Sequence, residues 1–177
     1  MVRRFSYLIL LAIILISCNP TNKDLLNDLT NIVGKEIVIP EGLVPINFPD
    51  TIKSSSFKNN NKYKIVVYID SMTCSECKLR KIFPWNDYFY FFYSKRVPVY
   101  IIMNTSNVQG LKKVINMLDL KFPFFIDPDG NYKIMNTISK NEIFRTVLVK
   151  ENKVLLAGDP IFNNKLMKLY IKEISKD

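Results

Sequence analysis

Apolar positions fall in blocks along this chain, and the period changes from block to block. An unbroken apolar run from Tyr7 to Ile16 follows Arg3 and Arg4 and closes on Ser17 and Cys18. Leu25, Leu26, Leu29, Ile32 and Val33 recur at helical spacing and predict a short amphipathic helix over 24–33, stopped by Gly34. Glu36 to Ile39 reads as a strand ended by Pro40. Residues 40–61 hold Pro40, Pro45, Pro49, a Ser triplet and an Asn triplet, and read as loop. Tyr63 to Ile69 and Val97 to Met103 are near-continuous apolar runs of the kind found in strands buried on both faces. Between them a helix should open near Cys74 with Thr73 as N-cap, interrupted at Pro84. Ser106 is placed to cap a second helix, with Val108, Leu111, Ile115 and Leu118 on one face.

Phe122 to Ile126 is a short strand, and Asp127-Pro128-Asp129-Gly130 a turn. That tetrapeptide is too incomplete for a calcium loop, whose closing glutamate is missing. Thr146–Val149 and Val154–Leu156, joined by four polar residues, predict an antiparallel hairpin. A last helix opens at Asn163, with Leu166, Leu169, Tyr170 and Ile174 facing inward. The order is β-α-β-α, a short excursion, then β-β-α. It predicts an α/β sandwich: a mixed central sheet, flanking helices, and a C-terminal β-hairpin plus helix. Residues 83–93 carry eight aromatics in eleven positions and read as core filling beside Pro84 rather than as a partner surface.

The first block carries an address. A basic start, a short apolar run and a small residue before the cut describe an export signal. The run is too short to span a bilayer, which takes about 20 apolar residues. Leu15-Ile16-Ser17-Cys18 resembles the bacterial lipobox, which implies cleavage before Cys18 and lipid on that cysteine. The chain then divides into a signal peptide (1–17), a lipidated lead-in (18–60) and one folded domain (61–177). Removing residues 1–17 leaves 160 of 177 residues, enough for a sizeable core. The formal charge of +9 falls to +7 without Arg3 and Arg4. The excess is scattered, so nucleic acid is not an expected partner. Weak attraction to anionic lipid heads fits better.

Three cysteines and no histidine narrow the chemistry. Without histidine there is no Ser-His-Asp or Cys-His catalysis, and one CxxC cannot fill a zinc site. With Cys18 taken by lipid, Cys74 and Cys77 remain as a pair, either redox-active or a structural disulfide. The pair sits where a buried strand hands over to a helix. Unpaired N–H groups and a partial positive charge in the first helical turn stabilise a thiolate. Cys74 is therefore the candidate nucleophile and Cys77 the resolving thiol. Asp70 is a candidate proton relay.

Ile65 to Cys77, Val97 to Asn104, Phe122 to Asp127 and Phe144 to Gly158 together resemble the thioredoxin-fold proteins of the TlpA/peroxiredoxin-like group, over about residues 60–175. The resemblance implies a thioredoxin-like sandwich and, with the lipobox, an envelope lipoprotein of Gram-negative bacteria facing the periplasm. It implies thiol–disulfide exchange with envelope proteins, with no cofactor. Three departures stand out. The group's cis-proline before the hairpin threonine is replaced by Arg145, whose guanidinium is expected near Cys74, where it would tune the thiol. Ser75 and Glu76 replace the usual residues between the cysteines. Tyr68 stands where thioredoxins keep a buried acid. Two other readings stay open: a non-catalytic binding module with a structural or vestigial disulfide, and a thiol peroxidase. The second lacks its upstream proline, since Val67 is there, and has Ser71 in place of the threonine.

Overall fold

The computed structural model describes residues 22–47, 62–70 and 75–176. Among them, a six-stranded sheet runs β1-β4-β3-β2-β5-β6. Its strands are β1 (Val44–Asn47), β2 (Tyr63–Asp70), β3 (Val99–Asn104), β4 (Phe124–Ile126), β5 (Thr146–Lys150) and β6 (Lys153–Ala157). β2, β3 and β4 are parallel, and β1, β5 and β6 join antiparallel. The sheet is therefore mixed, as the pattern predicts.

Alternation along β2 sorts the core into two layers. Ile65, Val67 and Ile69 face one layer with helices α2 (Ser75–Ile82), α3 (Phe89–Ser94), α4 (Val108–Met117) and α6 (Asn164–Ile174). Val66 and Tyr68 face the other, with Ile32 of α1 (Asn22–Ile32) and Tyr132 of α5 (Asn131–Met135). The aromatic segment fills core: Trp85, Phe89 and Phe92 are buried, and Trp85 and Phe89 meet Phe122 edge to face. Pro84 breaks the helix as expected, and a 3-10 turn over Phe83–Tyr88 carries the chain to α3. Phe83, Tyr90 and Tyr93 remain exposed.

Four local expectations are corrected. Glu36–Ile39 makes no strand, only a single bridge from Glu36 to Lys153, with Ile37 buried behind it. β1 arises instead within the expected loop; it lies at the sheet edge, where Pro45 costs no ladder bond. The cap of α4 is Asn107, whose side chain accepts from the Gly110 N–H at 3.0 Å, and not Ser106. On α6, Met167 is buried and Leu169 is exposed, because the inward stripe is shifted from the one expected. Asp127 is more than a turn residue. Its buried carboxylate accepts from the Asn131 and Tyr132 N–H groups at 2.9 and 2.8 Å and starts α5, a short helix the pattern does not show.

Candidate functional site

β2 ends at Asp70 and α2 starts at Ser75, so the CxxC spans the handover from central strand to helix. Cys77 is the third residue of α2; its side chain, and all of Cys74, Thr73 and Ser71, lie outside the described residues. Cys18 lies outside them too. What the structure describes is the setting of the pair.

Asp70 is clamped from both faces of the sheet. Its backbone carbonyl accepts from Lys78 Nζ of α2 at 2.6 Å, and its carboxylate pairs with Lys133 of α5 at 3.3 Å. Its side chain is 13% exposed. The carboxylate is thus engaged on the α5 side of the sheet, whereas α2 packs on the other. Lys78, whose direction is not readable in sequence, also pairs with Glu142 Oε1 at 3.2 Å. A cation following Cys77 is in this way held over the end of β2 rather than left in solvent.

Tyr68 is buried, and its hydroxyl makes no hydrogen bond of good geometry, although Asn104 lies near it. Burial pushes the phenol up from its ordinary value, the Asp70 carboxylate adds to the rise, and the Arg145 guanidinium opposes it. The group is therefore neutral at physiological pH and cannot replace a buried acid as a proton acceptor.

Arg145 ends the 3-10 turn Glu142–Arg145 and directly precedes β5. β5 pairs with β2 in unbroken antiparallel register, with Thr146 opposite Val67. The described residues contain no cis peptide bond. The Arg145 side chain is only 17% exposed, so it does not point to solvent. It folds onto its own loop: Nε donates to the Ser139 carbonyl at 3.1 Å, Nη2 to the Lys140 carbonyl at 3.4 Å, and Nη1 lies 3.7 Å from Glu142. The expected approach to Cys74 concerns a residue outside the described part.

Beside this loop runs a feature that sequence reasoning missed. A cleft of about 920 Å³ lies between Lys81 of α2, Ile143 and Phe144 ahead of β5, Gly158 and Asp159 after β6, and Phe162 and Leu169 at α6. Phe162, Ile143 and Leu169 are exposed apolar side chains there. Gly158 lets α6 close on the β6 end: at φ +130° a Cβ would stand 2.8 Å from Leu166. Its carbonyl accepts from the buried Tyr170 hydroxyl at 3.0 Å. Asp159 accepts from the Ile161 N–H at 3.0 Å, yet its burial raises the carboxyl above the ordinary value. The fully buried Trp85 indole N–H makes no bond of good geometry, but lies near enough to Asp159 to oppose that rise. The one sequence signal for the cleft is an apolar face of α6 wider than its buried stripe. An apolar cleft beside Lys81, in the last turn of α2, can hold an extended peptide segment.

No model of a protein family matches this chain, and no curated protein does. Solved structures do. One, from Chlorobium tepidum, is described as a candidate thiol:disulfide interchange protein, DsbE; it is 18% identical, with 81% of this chain and 98% of that one covered, at a TM-score of 0.54. A second, from Bacteroides thetaiotaomicron, is described as a candidate protein disulfide isomerase; it is 16% identical over 82% of this chain and 92% of that one, at 0.52. A third, an uncharacterized conserved protein from Geobacillus kaustophilus, is 14% identical over 72% and 68%, at 0.51. At such identities the likeness speaks to the fold, which is thioredoxin-like.

Proposed function

We propose that this thioredoxin-like chain is a lipid-anchored thiol–disulfide oxidoreductase acting on proteins of the bacterial envelope, facing the periplasm. The observation that carries the reading is the position of Cys74-Ser75-Glu76-Cys77, across the junction of the central strand and α2 on this fold. The reaction is a two-electron exchange. The Cys74 thiolate attacks one sulfur of a partner disulfide; that bond breaks, and the departing thiolate takes a proton. Cys77 then attacks the Cys74 sulfur in the mixed disulfide. The partner leaves as a dithiol, and Cys74–Cys77 is the new disulfide. Another dithiol protein must reduce it for the next turn, and the reverse direction uses the same steps. Lipid on Cys18 would hold the folded domain at the membrane. The cleft beside α2 would take the partner's chain.

Arg145 favours a second reading. An arginine folded onto its loop gives the β5 entry a different surface from the proline of the TlpA/peroxiredoxin-like group, as suits a binding module whose disulfide is structural. Insulin reduction by residues 19–177, run beside Cys74→Ser, separates the two. Catalytic turnover that depends on Cys74 is expected. Stoichiometric or absent reaction would establish the module instead.

A further inference from the structure

The lead-in helix α1 reaches the loop that forms one side of this site. Most of α1 is exposed, and only Ile32 at its end is buried in the sheet layer. Asp28, one turn earlier, makes a specific polar contact. Its Oδ2 accepts from Ser139 Oγ at 2.5 Å and from the Asn141 N–H at 3.2 Å. Ser139 is 4% exposed, and its hydroxyl also accepts from the Asn141 N–H. A buried hydroxyl and a backbone donor therefore converge on one carboxylate oxygen, more than 110 residues earlier in the chain.

The same short loop is held from its other end. The Ser139 and Lys140 carbonyls accept from Arg145, Arg145 lies beside Glu142, and Glu142 pairs with Lys78, which follows Cys77 on α2. Contacts thus run without a gap from α1 through the 139–145 loop to α2. Ile143 and Phe144 of that loop line the cleft.

We propose that Asp28 is a positioning residue for the thiol site. It fixes the 139–145 loop, and so holds the cleft wall and the Glu142–Lys78 pair in register with α2. The positioning role rests on the exchange reaction proposed above; the latch itself does not. α1 begins four residues after Cys18, so under that reading the latch joins the anchored end of the chain to the wall on which partners would lie. Four residues span at most about 14 Å. A loop tied in this way is ordered before a partner arrives, which lowers the ordering cost of binding.

The test uses the full mature chain and the variants Asp28→Ala, Asp28→Asn and Ser139→Ala. Amide hydrogen exchange at Asn141 and Ile143 should quicken roughly tenfold in Asp28→Ala, the usual loss for a charge-assisted bond. Asparagine keeps an acceptor and should restore most of the protection. Ser139→Ala changes no residue of α1 and should show the same loosening, so an effect of the Asp28 substitution on the helix's own propensity cannot produce the pattern. In insulin reduction, KM should rise several-fold in Asp28→Ala with kcat retained. Combined with Arg145→Ala, the exchange effects should fall short of additive, since both residues hold the Ser139–Lys140 turn. Unchanged exchange at Asn141 and Ile143 in Asp28→Ala would overturn the latch. Loosened exchange with unchanged KM would overturn the positioning role. A wild-type chain inert toward disulfides would overturn the reaction and the positioning role together, while amide exchange would still report the latch.

Discussion

Single side chains here are set by what the sheet end does to charge. Asp159 is the clearest case, because burial at the foot of the cleft raises its carboxyl above the ordinary value. An acid with a raised folded-state value binds more protons folded than unfolded. Stability must then fall as pH climbs from the ordinary carboxylate range through the raised one. Asp159→Asn keeps an acceptor for the Ile161 N–H and carries no charge. It is expected to raise the melting temperature at pH 7, with the gain shrinking to nothing in acid below the ordinary carboxylate value; thermal scans across pH 3 to 8 would show the convergence. The two thiols of the proposed pair should also differ. Cys74, preceding the helix, is expected to alkylate faster than Cys77, and Cys77→Ser to accumulate mixed disulfides, visible on non-reducing gels. Faster alkylation of Cys77 would reverse the assigned roles.

At the scale of elements, the β6–α6 corner decides whether the cleft exists. Gly158 takes a left-handed φ there while Leu166 approaches the place a Cβ would fill. Gly158→Ala is expected to destabilise by more than about 1 kcal/mol, since alanine is strained at such a backbone angle and also meets a side chain. Urea unfolding measures it, and an unchanged midpoint would show that the corner relaxes freely. The aromatic segment behaves as an element too. Pro84 cuts the helix, the 3-10 turn rotates Trp85 into the core, and α3 resumes with Phe89 and Phe92 inward. The pattern called for core filling, and the buried rings answer it; Phe83, Tyr90 and Tyr93 stay outside because a helix of this width cannot bury every face.

For the whole molecule, residues 22–47 belong to the sheet fold as much as the later ones. β1 pairs with β4, and the Gly34 N–H donates to the Val154 carbonyl at 2.8 Å. The proposed anchor at Cys18 lies four residues before α1, so attachment would hold the domain close to the lipid surface. Cys18→Ala is expected to abolish incorporation of labelled fatty acid and leave an uncut or soluble chain. Undiminished labelling of that variant would remove Cys18 as the lipid site.

The chain's own pattern was enough for the class of fold and for most of its elements. Buried parallel strands must be apolar on both faces, so β2 and β3 are legible as continuous runs, and a short polar link forces β5 and β6 into a hairpin. The CxxC is legible because two cysteines at a strand-to-helix junction are a local matter. β1 was hidden, since an edge strand with Pro45 needs no apolar run and owes its pairing to a neighbour about 80 residues away. The cleft, the clamp on Asp70 and the Asp28–Ser139 contact were hidden for the same reason. Each depends on side chains from segments far apart in the chain, and no local period records which of them will meet. Arg145 shows both halves: sequence could mark it as standing in the proline's place, but only the folded loop decided that its guanidinium turns back onto Ser139 and Lys140, whose carbonyls come within its reach.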